Sequence, residues 1–151
     1  MTYTKPMPHF DLVDHPTSET IKMLTGLLER ITKANDQLFA THAESHRKSK
    51  SALLSYNCFH ARSIPTIDIH SYLVRILKYC PCSNECFLSL LVYFDRMSRK
   101  SVGLRIDSFN IHRLIISGVM LASKFFSDVF YTNARYAKVN SSFVIEKPVG
   151  K

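Results

Sequence analysis

The sequence predicts an all-α domain. Apolar residues recur at spacings of three and four in successive segments, those segments are bounded by Pro, Ser, Asp or Gly, and the 151-residue chain holds 4 Gly against 6 Pro. So few glycines leave little for tight hairpins or glycine-rich phosphate cradles, which makes β architectures, dinucleotide folds and P-loop folds poor fits.

The first helix is expected over Ser18 to Phe39. Ile21, Leu24, Leu28, Ile31 and Leu38 line one face with Asn35 interrupting it, Thr17 or Ser18 can cap, and Glu19 in the first turn suits the helix dipole. Periodicity then lapses from Thr41, where His42, His46, Arg47, Lys48 and Lys50 read as a solvated linker. After Ile64-Pro65-Thr66, a second helix carries Ile69, Tyr72, Leu73, Ile76, Leu77 and Cys80 on one face, with Thr66 or Asp68 as cap and Pro81 as stop. Ser83 caps the next, whose face is Phe87, Leu90, Leu91 and Phe94 and whose end is expected near Arg99. Asp107 caps another, running through Phe109, Ile111, Leu114, Ile115, Val119 and Leu121 to Phe125 or Phe126. Its middle is apolar on most sides, so it is expected at the centre of the core. A shorter stretch opens at Ser127-Asp128 and runs to Val139, and from Asn140 no helical period remains.

Composition narrows the class of protein. The length fits one domain, and 46% hydrophobic with 21% charged residues is globular rather than disordered. The longest unbroken apolar run, Leu90 to Phe94, falls far short of the about 20 residues that cross a bilayer. Met1 to Pro16 has no apolar signal region, which points to an intracellular protein of the nucleus or cytoplasm whose four cysteines are thiols. The net charge of +8 is uneven. Residues 1–46 are net −2, and the +10 that follows could face something acidic or be a plain solvated surface.

The chemistry-bearing residues do not assemble an active site. Cys58 and His60 are neighbours without an orienting carboxylate or oxyanion loop, so no catalytic residue is assigned and the chain is expected not to be an enzyme. Cys80, Cys82 and Cys86 form a C-x-C-x3-C run that lacks the second ligand pair of a zinc site, and the seven His are scattered. No metal and no cofactor are therefore expected.

Taken in order, Tyr72-Leu73-Val74-Arg75-Ile76, Leu91-Val92-Tyr93-Phe94-Asp95-Arg96-Met97, Asn110-Ile111-His112-Arg113-Leu114-Ile115-Ile116 and Met120-Leu121-Ala122-Ser123-Lys124-Phe125 resemble a cyclin box. Phe59-His60, Ile64-Pro65, Asn133-Ala134-Arg135-Tyr136-Ala137-Lys138-Val139 and the Asn35-Asp36-Gln37 end of the first helix are similar to cyclins of fungal phosphate signalling and their plant and protist relatives. The resemblance implies a flexible N-terminus over 1–16, an amphipathic helix preceding the box over 17–40, a linker over 41–57, a partial cyclin box over 58–139 and a tail outside the family pattern over 140–151. It also implies a cyclin-box helical bundle incomplete at its C-terminus, because the fifth box helix of such cyclins has no counterpart after Val139.

The function so implied is that of a regulatory subunit that binds and activates a cyclin-dependent protein kinase, in phosphate or nutrient signalling or in cell-cycle control. The alternatives are an inactive truncated cyclin and a cyclin-fold transcription factor that binds nucleic acid. The second is disfavoured because the basic residues form no continuous stripe, and no membrane partner is expected. Lys124, Phe125 and Asp128 match kinase-facing positions, and Arg75 and Asp95 match a pair that joins inside the fold. The apolar substrate-docking patch of cell-cycle cyclins is not carried over, because Lys78 would place a charge in it.

Overall fold

The computed structural model describes residues 14–42, 59–100 and 105–141, and among them finds five helices and no strand. They are α1 (Thr17–His42), α2 (Ile69–Tyr79), α3 (Asn84–Lys100), α4 (Ile111–Phe126) and α5 (Asn133–Ser141). The linker from residue 43, Cys58, Gly103 and the chain beyond Ser141 lie outside the described residues.

Most helix starts follow the local chemistry of the sequence. Asp68 caps α2, its carboxylate accepting from Ser71 N–H and from the Ser71 hydroxyl, each at 2.8 Å. Replacing such a cap by Ala costs about 0.5–2 kcal/mol. Asp107 acts one turn earlier than expected: its carboxylate takes the N–H groups of Phe109 and Asn110, while its carbonyl takes that of Ile111 and so starts α4. α1 begins at Thr17 itself, with the Pro16 carbonyl accepting from Glu19 and Thr20. It continues past Phe39 to His42.

The last helix departs from expectation at both ends. Ser127 and Asp128 do not open it. Ser127 folds back on Val129, donating to its carbonyl at 2.7 Å and accepting its N–H at 3.2 Å, and the helix waits until Asn133. At the other end α5 runs past Val139 to Ser141, and Tyr72 donates its hydroxyl to Asn140 Oδ1 at 3.1 Å.

α4 is the centre of the assembly. It packs against α3, α5 and α2, while α1 lies across α2 and α3 and α5 also touches α2. Ile111, Leu114, Ile115, Ile116, Val119 and Ala122 are all buried, and with Leu28, Tyr72, Leu73, Ile76, Phe87 and Leu90 they make one core. At Gly118 a β-carbon would collide with the tip of Leu90, itself fully buried, and touch Tyr93 at 3.6 Å. The missing side chain sets how closely α3 and α4 approach.

Polar anchors fix the entry to α4. Asn35 of α1 donates to the Ile106 carbonyl at 2.7 Å, and Asp36 accepts from the N–H and hydroxyl of Ser108. The residue that interrupts the apolar face of α1 therefore ties that helix to the loop before α4. His112 is buried in the first turn, edge-on to Tyr72, and its Nε2–H donates to the Ile67 carbonyl at 2.9 Å.

Two outcomes are expected from this packing. Gly118→Val should lower stability by about 1–3 kcal/mol in a urea melt, because the overpacking penalty outweighs the small gain in helix propensity. His112 is held below its ordinary value of 6.5 by burial, against the opposing effects of the Ile67 hydrogen bond and nearby Asp68. Its folded pKa is depressed, so the unfolded chain binds the proton more readily; the stability it contributes is whole above 6.5 and is lost as pH falls below it. The melting temperature should fall as the pH is lowered below about 6.5, and His112→Gln should flatten that slope.

Candidate functional site

α4 changes character along its length. Its first three turns are buried, but Leu121 is 56% exposed, Phe125 79% and Phe126 49%. The following loop adds Val129 at 89% and Phe130 at 51%. Among the described residues, five large apolar side chains are thus exposed within one short segment, which makes it the candidate interaction surface.

Lys124 lies among them. Its ammonium donates to Asn133 Oδ1 at 2.5 Å, at the start of α5, and rests 5.7 Å from the centre of the Phe130 ring. The cation is therefore held in place by the same loop that presents the aromatics. Asp128 is exposed in that loop and, with α5 starting at Asn133, caps no helix. Lys124, Phe125 and Asp128 consequently share one end of the molecule. The sequence reading singled out Phe125 but missed Leu121, Phe126, Val129 and Phe130; the signal available was an apolar run continuing past the helix end.

α5 is fastened behind this end. Arg135 donates to the Tyr79 carbonyl at 2.7 Å and lies 4.0 Å from the Tyr131 ring centre, while Tyr136 and Val139 enter the core. The loop is thereby anchored at α4 on one side and α2 on the other.

Residues 18–144 match the family described as Cyclin. The chain belongs to the cyclin family. Cyclins are regulatory, non-catalytic subunits, which accords with a site made of apolar anchors rather than of acids, bases and nucleophiles. The PHO85 cyclin-like protein psl1 of Schizosaccharomyces pombe is 45% identical over 135 residues, covering 87% of this chain and 55% of that protein. PHO85 cyclin-7 of Saccharomyces cerevisiae is 44% identical, covering 85% and 50% respectively. Cyclin-U4-1 of Arabidopsis thaliana is 46% identical, covering 81% and 56%. The chain spans about half the length of the curated relatives it matches.

Other groups expected to matter are placed as follows. The internal Arg75–Asp95 pair is not formed. Asp95 accepts from Arg99 Nε at 2.9 Å, one turn along α3, with the two side chains 54% and 77% exposed. The cause is helix geometry: Phe87, Leu90 and Phe94 take the buried stripe of α3, so the residue after Phe94 is turned about 100° towards solvent. Arg75 faces a cleft between α2 and α5 that Tyr79, Arg135 and Lys138 also line. His60 pairs with Asp107 at 3.2 Å and stacks on Phe109, while its neighbour Cys58 lies outside the described residues. Among the described residues no three His, Cys, Asp or Glu side chains gather to hold a metal, and no helix is long and apolar enough to cross a membrane.

Because an exposed i,i+4 pair contributes little, Asp95→Ala should change unfolding stability by no more than about 0.5 kcal/mol. Loss of an internal pair would instead cost about 3–5 kcal/mol, so a single denaturation curve separates the two arrangements.

Proposed function

We propose that this cyclin is a regulatory subunit that docks on a cyclin-dependent kinase through the exposed end of α4 and the loop after it, and so favours the active form of that kinase. The observation that carries this reading is the cluster of Leu121, Phe125, Phe126, Val129 and Phe130 around the tethered Lys124. Apolar anchors of this kind supply most of the affinity in protein interfaces, and charges beside them set orientation. Lys124, Phe125 and Asp128 are the assigned contacts.

Kinase activation requires the ATP-binding lysine to pair with a glutamate on a mobile kinase helix. A rigid apolar surface that binds that helix in its inward position shifts the population towards the active state by its differential affinity for the two positions. Two of the similar proteins carry PHO85 in their names, so a kinase of the PHO85 type is the assigned partner, with phosphate or nutrient signalling or cell-cycle control as the setting. The work is intracellular, in the nucleus or cytoplasm, where such a kinase would be met.

Binding of the purified chain to a PHO85-type kinase, measured by calorimetry together with kinase activity, tests the reading. Phe125→Ala should weaken binding about tenfold or more, the cost of truncating a central anchor. Lys124→Glu should also weaken it while leaving the circular dichroism of the helices unchanged. A chain that neither binds nor stimulates the kinase at micromolar concentration rules the proposal out.

A further inference from the structure

The cleft between α2 and α5 shares no residue with the docking surface. It measures about 560 Å³, in the range of ligand clefts generally, about 300–1,000 Å³. Arg75 and Tyr79 line it from α2, and Thr132, Ala134, Arg135 and Lys138 from α5 and the residue before that helix. Three of these side chains are cations and none is an acid. The imbalance extends along both helices: no Asp or Glu occurs from Ile69 to Asn84 or from Val129 to Ile145. We propose that the cleft is a binding site for a phosphorylated serine or threonine in a segment of a partner protein.

The cations are gathered rather than spread. Arg75 and Lys78 lie 5.7 Å and 5.5 Å from the centre of the Tyr79 ring, and the carbonyl of the same Tyr79 accepts from Arg135 Nε at 2.7 Å. The Tyr131 ring, 4.0 Å from the Arg135 guanidinium, fixes that side chain further. A guanidinium has five N–H donors and the bond to the carbonyl takes one, so the planar fork that suits phosphate oxygens is positioned in advance. Lys138 follows Arg135 by three residues as Lys78 follows Arg75, and residues at that spacing are neighbours on a helix surface. Like charges so placed repel and weaken a helix. A dianion between them removes the repulsion and gains charge-assisted hydrogen bonds.

The rest of the lining decides among anions. The half-exposed Tyr79 ring and Ala134 offer apolar surface to the residues flanking a phosphorylated side chain, which a free phosphate would leave unused. A nucleic acid needs cations continued along its backbone, whereas these close around one cleft. The chain's own end does not supply the charge, because residues 142–151 hold Glu146 against Lys147 and Lys151. Asn133, which holds Lys124 at the docking surface, lies between Thr132 and Ala134 of the cleft. A segment bound here would therefore sit beside a docked kinase while using none of the docking residues. That placement rests on the docking reading above; the binding itself does not.

The test is a nitrogen–proton NMR titration of the full chain at about 50 mM salt, run without kinase so that its outcome is independent of docking. The probe is a heptapeptide of glycine, alanine and valine with phosphoserine at its centre. It should move the backbone signals of Tyr79, Thr132, Arg135 and Lys138 with a Kd of about 1 mM or tighter, and the serine and glutamate versions should bind at least about fivefold more weakly. Lys138→Ala should weaken phosphopeptide binding about threefold or more, as should Arg135→Lys, which keeps the charge and loses the fork. Should Arg135→Lys lose helix content, Lys138→Ala and the unmodified chain decide. Signals that move elsewhere or not at all, equal binding of the glutamate peptide, or tighter binding of inorganic phosphate or of an oligothymidylate overturns the proposal.

Discussion

The closeness of α3 to α4 at Gly118 is the constraint on which the other packing depends. A β-carbon there would run into the end of the Leu90 side chain, which is fully buried and would have to shift. With hydrogen in that place, α4 can sink against α3 deeply enough for Ile115 and Val119 to be completely enclosed, and α2 and α5 can then close on its other sides. Interiors are packed like crystals, so a helix either occupies such a slot or is expelled from it. The position of α4 decides in turn where its exposed C-terminal turns project.

A buried helix must also be oriented, and apolar contact alone is non-directional. Orientation comes from hydrogen bonds at its N-terminal end. Asn110 donates to the Arg105 carbonyl at 2.6 Å and accepts from Asp107 N–H at 2.9 Å, making the turn rigid. Asn35 and Asp36 hold the same turn against α1, and His112 holds the first turn of α4 against the segment before α2. Each of these bonds satisfies a group that would otherwise be desolvated without a partner, which makes alternative seatings of the helix costly.

What the sequence made legible, and what it concealed, follows from the range of the interactions involved. Helix faces and the Asp68 cap depend on neighbours within a turn or two, and they stand where spacing places them. Asn35 looked like a blemish in an apolar face because its partner, the Ile106 carbonyl, lies 71 residues away. Ser127 and Asp128 carry cap chemistry, yet Ser127 spends its hydroxyl on Val129 and a loop forms instead of a helix start. Asp95 has the right residue type for an internal pair but the wrong side of α3. The exposed apolar residues were hidden for a different reason: periodicity counts Leu121 and Phe126 as core, and only the tertiary arrangement shows that, among the described residues, no helix covers them.

In the docking role proposed above, that exposure lets one helix serve both stability and recognition. The buried turns supply the rigidity, so the aromatic groups beyond them are presented without the ordering cost that a flexible loop would bring to binding. Lys124 extends the same logic to charge. Its ammonium is already bound by Asn133 and lies against Phe130, so its position is set before any partner arrives. A cation placed at the edge of an apolar cluster acts mainly on the rate and orientation of encounter, whereas the residence time of a complex is governed by the aromatics that lose water. A partner suited to this end of the molecule must therefore bring an apolar face first and an acidic group beside it second.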